Sequence, residues 1–176
     1  MFKRFFYMCF LIFVLIVLPL TTHAQVNNLL LNPSFEEDED INGGDQWWTW
    51  NPAAGDGSTA TIVDDEFIDG SRSLRVEPQG TTDWHFYVVQ SVSLNVGTTY
   101  TYSFWAKAEA ERPLAAQMKA ADNSVSWGYA DFQLTTEWAQ YEMTSTAESD
   151  EGKLEFFCAG SEVPFLLDLV SVFEAN

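Results

Sequence analysis

Residues Thr99 to Ala108 alternate without a break: Tyr100, Tyr102, Phe104 and Ala106 on one side, Thr101, Ser103, Trp105 and Lys107 on the other. A period of two sends successive side chains to opposite faces of an extended chain, so this segment has one buried face and one open face. The same pattern recurs in shorter pieces. Ser73 to Glu77 puts Leu74 and Val76 inward, and residues 87–94, 114–120, 138–146, 153–159 and 165–173 supply further strands, separated by Gly, Asp, Asn and Pro. Helical periodicity is nearly absent. The one ambiguous stretch, 106–121, is rich in Ala and Glu, but Pro113 interrupts any helix there. Without repeats or a linker, the pattern predicts a single all-β sandwich of two antiparallel sheets.

The first 24 residues read as an address. Lys3 and Arg4 precede an apolar run from Cys9 to Leu18, and Thr22-His23-Ala24 offers small residues for a signal peptidase, so cleavage is expected before Gln25. The run is short for a membrane anchor. The expected product is a secreted domain, residues 25–176, extracellular or periplasmic, with no membrane attachment once the signal is removed. Of two cysteines only Cys158 remains after the cut, so no internal disulfide is available. It shares the parity of Leu154 and Phe156 and reads as a buried, inert thiol.

All 26 acidic residues follow Ala24, against six basic ones, for a net charge of −20 over that stretch. Such a field repels nucleic acid, anionic membranes and polyanionic glycans, whereas neutral glycans meet no Coulomb penalty. A saline habitat would select the same acidity. The acidic run at residues 36–40 reads as a solvated loop. The loop at 65–76 falls short of an EF-hand, with Phe67 at a ligand position and Val76 where Glu belongs.

Seven tryptophans exceed what one small core needs. Trp47 and Trp138 read as core, and Trp105 as facing outward on the second sheet. Trp50, Trp84 and Trp127 neighbour Asn, Asp, His or Gly, and are expected to face solvent. Arg75 and Lys107 point outward on their strands, where surface ion pairs are expected. His85 has no companion ligands for zinc.

An ordered set of motifs spans nearly the whole of residues 25–176. It comprises Leu29-Leu30-Leu31-Asn32-Pro33-Ser34-Phe35-Glu36, then Asp69-Gly70-Ser71-Arg72-Ser73-Leu74-Arg75-Val76, then Gln90-Ser91-Val92-Ser93-Leu94. After these come Gly97 through Lys107 and finally Phe165 through Val172. Together they resemble a carbohydrate-binding module of the CenC type, the grouping of families 4, 9, 16 and 22. The resemblance implies a galactose-binding-like jelly roll that grips a single glycan chain in a cleft on its concave sheet. It implies strands 87–94, 114–120 and 153–159 in that sheet and strand 99–107 in the other. Residue by residue, it implies cleft roles for Trp50, Trp84, Gln90, Gln117, Asn123 and Trp127. It further implies a structural Ca²⁺ held by Glu36 and Asp168, with carbonyls around Ser34 and Gly70. Lys153, Glu155 and Phe157 share the outward parity of their strand, and Glu155 and Phe157 depart from the amides usual there.

The expected function is therefore non-catalytic binding of neutral β-linked polysaccharide, a β-glucan, xylan or mannan. Oligosaccharides and a separate glycan-degrading enzyme are the expected partners. Two alternatives belong to other classes: an adhesive or structural exoprotein, and a small glycoside hydrolase or lyase. No nucleophile motif supports the latter, and no carboxylate spacing singles out a catalytic pair.

Overall fold

The computed structural model describes residues 27–37, 40–41, 46–53 and 57–175. The expected export signal, and parts of the acidic run at 36–40, lie outside the described residues. Among the described residues ten strands form two antiparallel five-stranded sheets, a jelly-roll sandwich. In chain order they are β1 (Trp47–Trp50), β2 (Thr59–Val63), β3 (Ser73–Glu77), β4 (Tyr87–Ser93) and β5 (Thr99–Ala108). They continue with β6 (Arg112–Ala120), β7 (Ser126–Leu134), β8 (Ala139–Thr146), β9 (Glu151–Phe157) and β10 (Phe165–Glu174). Sheet A runs β1-β4-β9-β6-β7 and sheet B runs β2-β3-β10-β5-β8. Among the described residues a single 3₁₀ turn, Asp83–His85, leads into β4. No described helix is long and apolar enough to cross a membrane.

The alternation of β5 holds along its whole length: Tyr100, Tyr102, Phe104 and Ala106 are buried, and Trp105 and Lys107 stand on the outer face of sheet B. Phe104 from sheet B meets Phe156 from sheet A edge to face at 5.1 Å, joining the two layers across the core. Cys158 lies fully buried among these side chains. Burial, the main cause, drives its thiol pKa up to about 12, so it stays protonated and unreactive.

Residues 29–37 form no strand. Their backbone groups still need partners, and side chains supply several. Asn28 bonds Leu30 N, Val172 N and Val170 O, all within 3.1 Å. Gln90, 2% exposed, clasps Leu31 like one rung of a ladder: Oε1 accepts Leu31 N at 2.7 Å and Nε2 donates to Leu31 O at 2.9 Å. Gln90 shares the inward parity of Val88 and Val92. This corrects its expected role as a cleft amide, because both ends of the amide are committed inside the fold. Gln90→Leu should lower unfolding free energy by about 1–2 kcal/mol in urea titrations, with glycan affinity unchanged. Lost affinity without lost stability would contradict this placement.

Candidate functional site

Antiparallel register carries side chains of like parity into cross-strand rows. On the outer face of sheet A one row crosses all five strands: Trp50, Tyr87, Phe157, Ala115 and Asp131. Trp50 is 47% exposed and stacks on Tyr87, with ring centroids 5.3 Å apart and planes 20° apart. Tyr87 in turn meets Phe157 edge-on at 4.8 Å, and exposed Tyr129 stands against Phe157 at 5.9 Å. Trp48 packs beside this cluster. Five strands at ordinary spacing make the row about 19 Å long.

The second row is Val89, Glu155 and Gln117. Glu155 is 1% exposed although it lies on the outer face, held between Gln117 and Lys153. Its Oε2 accepts a hydrogen bond from Gln117 Nε2 at 2.8 Å. Lys153 Nζ lies 3.0 Å from Oε1, an ion-pair contact outside hydrogen-bond geometry. Lys153 also donates to Asn123 Oδ1 at 2.8 Å, which ties the β6–β7 turn to the face, and sits 5.9 Å from the Trp50 ring. Burial, then the nearby Glu155 and Asp83 charges, pushes the Tyr87 hydroxyl up to about 12. Burial, then the hydrogen bond to Asp131, does the same for Tyr129. Both phenols therefore remain neutral donors and acceptors at any ordinary pH.

At one end of the aromatic row a pocket of about 340 Å³ opens between Asp83 and Asp131, with Phe157 and Ala115 in its wall. Trp84, 49% exposed, stands on the 3₁₀ turn that also carries Asp83, its ring edge-on to His85 at 4.4 Å.

The structure thus brings Trp50, Gln117 and Asn123 to one face, with Trp84 on the adjoining turn. Trp127 goes elsewhere. It is 6% exposed and packed in the core, with its indole nitrogen buried. The register of β6 and β7 slips between Ala116 and Met118, and Gly128 adopts φ +63 beside that slip. A one-residue bulge flips every later side chain, so Trp127 turns inward while Tyr129 and Asp131 turn outward. The expectation that Trp127 lines the cleft is corrected accordingly. Tyr87 and Tyr129 occupy the face without having been singled out from sequence. The parity of Tyr87 with Val89 and Ser91 was the available signal for the first; nothing in the sequence locates the bulge that exposes the second.

The residues expected to hold metal meet at a different place, the loop before β3. Glu36 Oε1 accepts Ser71 N at 2.8 Å and Arg72 N at 2.7 Å, and Oε2 accepts Ser71 Oγ at 2.8 Å. Desolvation works to raise the Glu36 pKa, but the Ser71 and Arg72 hydrogen bonds and the Arg72 charge outweigh it, for a net lowering. An ideal Cβ on Gly70, whose φ is +67, would sit 2.5 Å from the Glu36 carboxylate, so only glycine fits there. Asp168 is fully buried at the bulge in β10. Its Oδ2 accepts Ile68 N at 2.7 Å and Asp69 N at 3.0 Å, and its Oδ1 accepts Leu169 N at 2.6 Å. Burial raises its pKa despite those bonds. Ser34 Oγ donates to Asp69 Oδ2 at 3.1 Å. Among the described residues no group of three His, Cys, Asp or Glu side chains converges as a metal site. The donor chemistry still suits a hard cation, since Glu36 and Asp168 each keep one oxygen with a single donor and carbonyls lie along the same loop.

A family profile described as Carbohydrate binding domain (CBM_4_9) matches residues 27–162. No curated protein matches the chain. Among solved structures, one described as "CBM4 structure and function" superposes with a TM-score of 0.68 at 21% identity, covering 83% of this chain and 99% of that one. The CBM22-1 xylan-binding domain of Paenibacillus barcinonensis Xyn10C superposes with a TM-score of 0.64 at 18% identity, covering 86% and 96%. TmCBM61, solved in complex with β-1,4-galactotriose, superposes with a TM-score of 0.61 at 18% identity, covering 85% and 99%.

Proposed function

The chain belongs to the carbohydrate binding domain family, and from that premise we propose that it binds neutral β-linked polysaccharide, without catalysing its cleavage, on the outer face of sheet A. The observation that carries this reading is the row Trp50–Tyr87–Phe157 on an open sheet face, with exposed Tyr129 beside it. An aromatic face covers the apolar C–H side of a pyranose ring, and each such stack contributes about 1 kcal/mol beyond simple area burial. Gln117 and Asn123 supply planar amides, which offer a donor and an acceptor together to neighbouring hydroxyls. The domain acts outside the cell, capturing glycan beside a glycan-degrading enzyme.

Affinity electrophoresis against β-1,4-glucan, β-1,3-glucan, xylan, mannan and acidic polysaccharides tests this reading. Retardation by at least one neutral glycan, with none by pectin or alginate, is the expected result. Free migration through every neutral glycan overturns the reading, and release of reducing ends overturns its non-catalytic part.

The second part of the proposal is a structural Ca²⁺ held by Glu36 and Asp168, with carbonyls around Ser34 and Gly70. Its support is that two carboxylates distant in sequence close on one short loop, 68–72, and retain spare oxygen capacity. Binding to the folded state alone stabilises it by mass action. Adding Ca²⁺ to EDTA-treated protein should raise the melting temperature by several degrees, an increase that Glu36→Gln removes. An unchanged melting temperature in the unsubstituted protein rules the site out.

A further inference from the structure

Six cations serve a chain with 26 acidic residues, counted after Ala24, and nearly all are engaged. Arg75 pairs with Glu77 and Glu109, Lys107 with Glu66, and Lys153 with Glu155. Arg112 is bound by three carbonyls, and Arg72 is also engaged. Lys119 is different: among the described residues it has no ion-pair or hydrogen-bond partner. It stands on the candidate ligand face, directly opposite Lys153 across the β6–β9 ladder, with Ser126 on its other side and Gln117 two residues along its own strand. Like charges placed opposite one another in a sheet are destabilising. Lys153 is neutralised by Glu155, and Glu151, next along the face of β9, forms no ion pair with Lys119. Lys119 is therefore the cation on this face without a direct partner among the described residues, in a protein otherwise strongly negative.

We propose that Lys119 forms a subsite for a single carboxylate, a uronic acid pendant from the neutral glycan chain that the aromatic row binds. The inference rests on the glycan-binding reading of that face. Its geometry selects a pendant group. Along β9, residue 157 of the aromatic row and residue 153 opposite Lys119 are four positions apart, about 13 Å. A lysine stem reaching in from one side and one branching sugar from the other close that gap, with Gln117 and Asn123 beside the path. The global charge selects a sparse anion. At physiological ionic strength charges beyond about 8 Å are screened, so one carboxylate in contact with Lys119 escapes most of the repulsion from the remote acidic surface. A polyuronide would place its other carboxylates against the acidic surface and be repelled.

The test uses calorimetric titration of the protein with glucan, xylan and mannan oligosaccharides, each with and without one pendant glucuronic acid. For the backbone that binds, the decorated form should bind about fivefold tighter, with the advantage shrinking at high salt. Lys119→Gln should abolish the advantage while leaving the undecorated affinity intact, and Lys119→Arg should restore it. Equal affinity of the paired oligosaccharides, with neutral binding intact, overturns the subsite and leaves the glycan face standing. A preference that survives Lys119→Gln overturns the assignment to this lysine. Failure of every backbone, decorated or not, overturns both readings at once.

Discussion

Trp50→Ala should weaken binding of the neutral glycan about thirtyfold in Kd while barely altering the melting temperature. The ring is half exposed and sits on β1, an edge strand of sheet A, so little of the core depends on it. What it offers is a flat surface already held in place: Tyr87 backs it at 5.3 Å, and Lys153 lies 5.9 Å from its ring. A sugar stacked there removes apolar area from water and gains a ring contact, together about 2 kcal/mol, and that corresponds to the thirtyfold change. Because the surface is preformed, the sugar need not order it on binding. Trp105→Ala, on the outer face of sheet B, provides the comparison and should leave affinity unchanged. Equal affinities for all three proteins would remove sheet A from the binding reaction.

Arg112→Ala should cost about 3 kcal/mol of stability, or about 10 °C in melting temperature for a domain of this size. Arg112 opens β6 and is 1% exposed, yet among the described residues has no carboxylate partner. Its guanidinium donates to Pro113 O at 2.9 Å, Val163 O at 2.7 Å and Cys158 O at 2.7 Å, and lies 4.5 Å from the Phe165 ring centre. It thereby closes the β9–β10 connection onto β6. Burial lowers its pKa, a sign that the charge is held at a cost which the three carbonyls and the ring offset. Removing the side chain leaves those carbonyls without donors and opens a void under the connection. Lysine cannot reproduce three donors in one plane, so Arg112→Lys should recover only part of the loss. A change in melting temperature below about 3 °C for the alanine variant would contradict this account.

Strands were legible wherever one face alone is buried. The β5 pattern, with four apolar positions in register, carries its own assignment, and β3 and β10 are nearly as plain. The strands that escaped, β1, β2 and β7, have reasons. β1 is four residues long with three tryptophans, so period and composition cannot be separated there. β2 is five residues at a sheet edge. β7 changes parity at Gly128, which cancels any single alternation. The site follows the same logic. Trp50, Gln117 and Asn123 reach the face because local parity and turn position decide them. Gln90 and Trp127 do not, because their direction depends on distant events: the strandless 29–37 segment needing a partner, and a slip in register. Lys119 drew no attention in the sequence, since its lack of a partner exists only once all the other charges have found theirs.

The central position of β10 bears on how the molecule comes together. It pairs with β3 on one side and β5 on the other, so the β2–β3 hairpin and the β5–β8 pair share no ladder until it arrives. Those two pairs wait, each with one flank unpaired, for residues 165–174. Contacts this remote along the chain form slowly. Sheet B is thus closed by the last strand to be made, whereas sheet A, which holds no ladder to β10, needs nothing beyond residue 157 to pair its five strands.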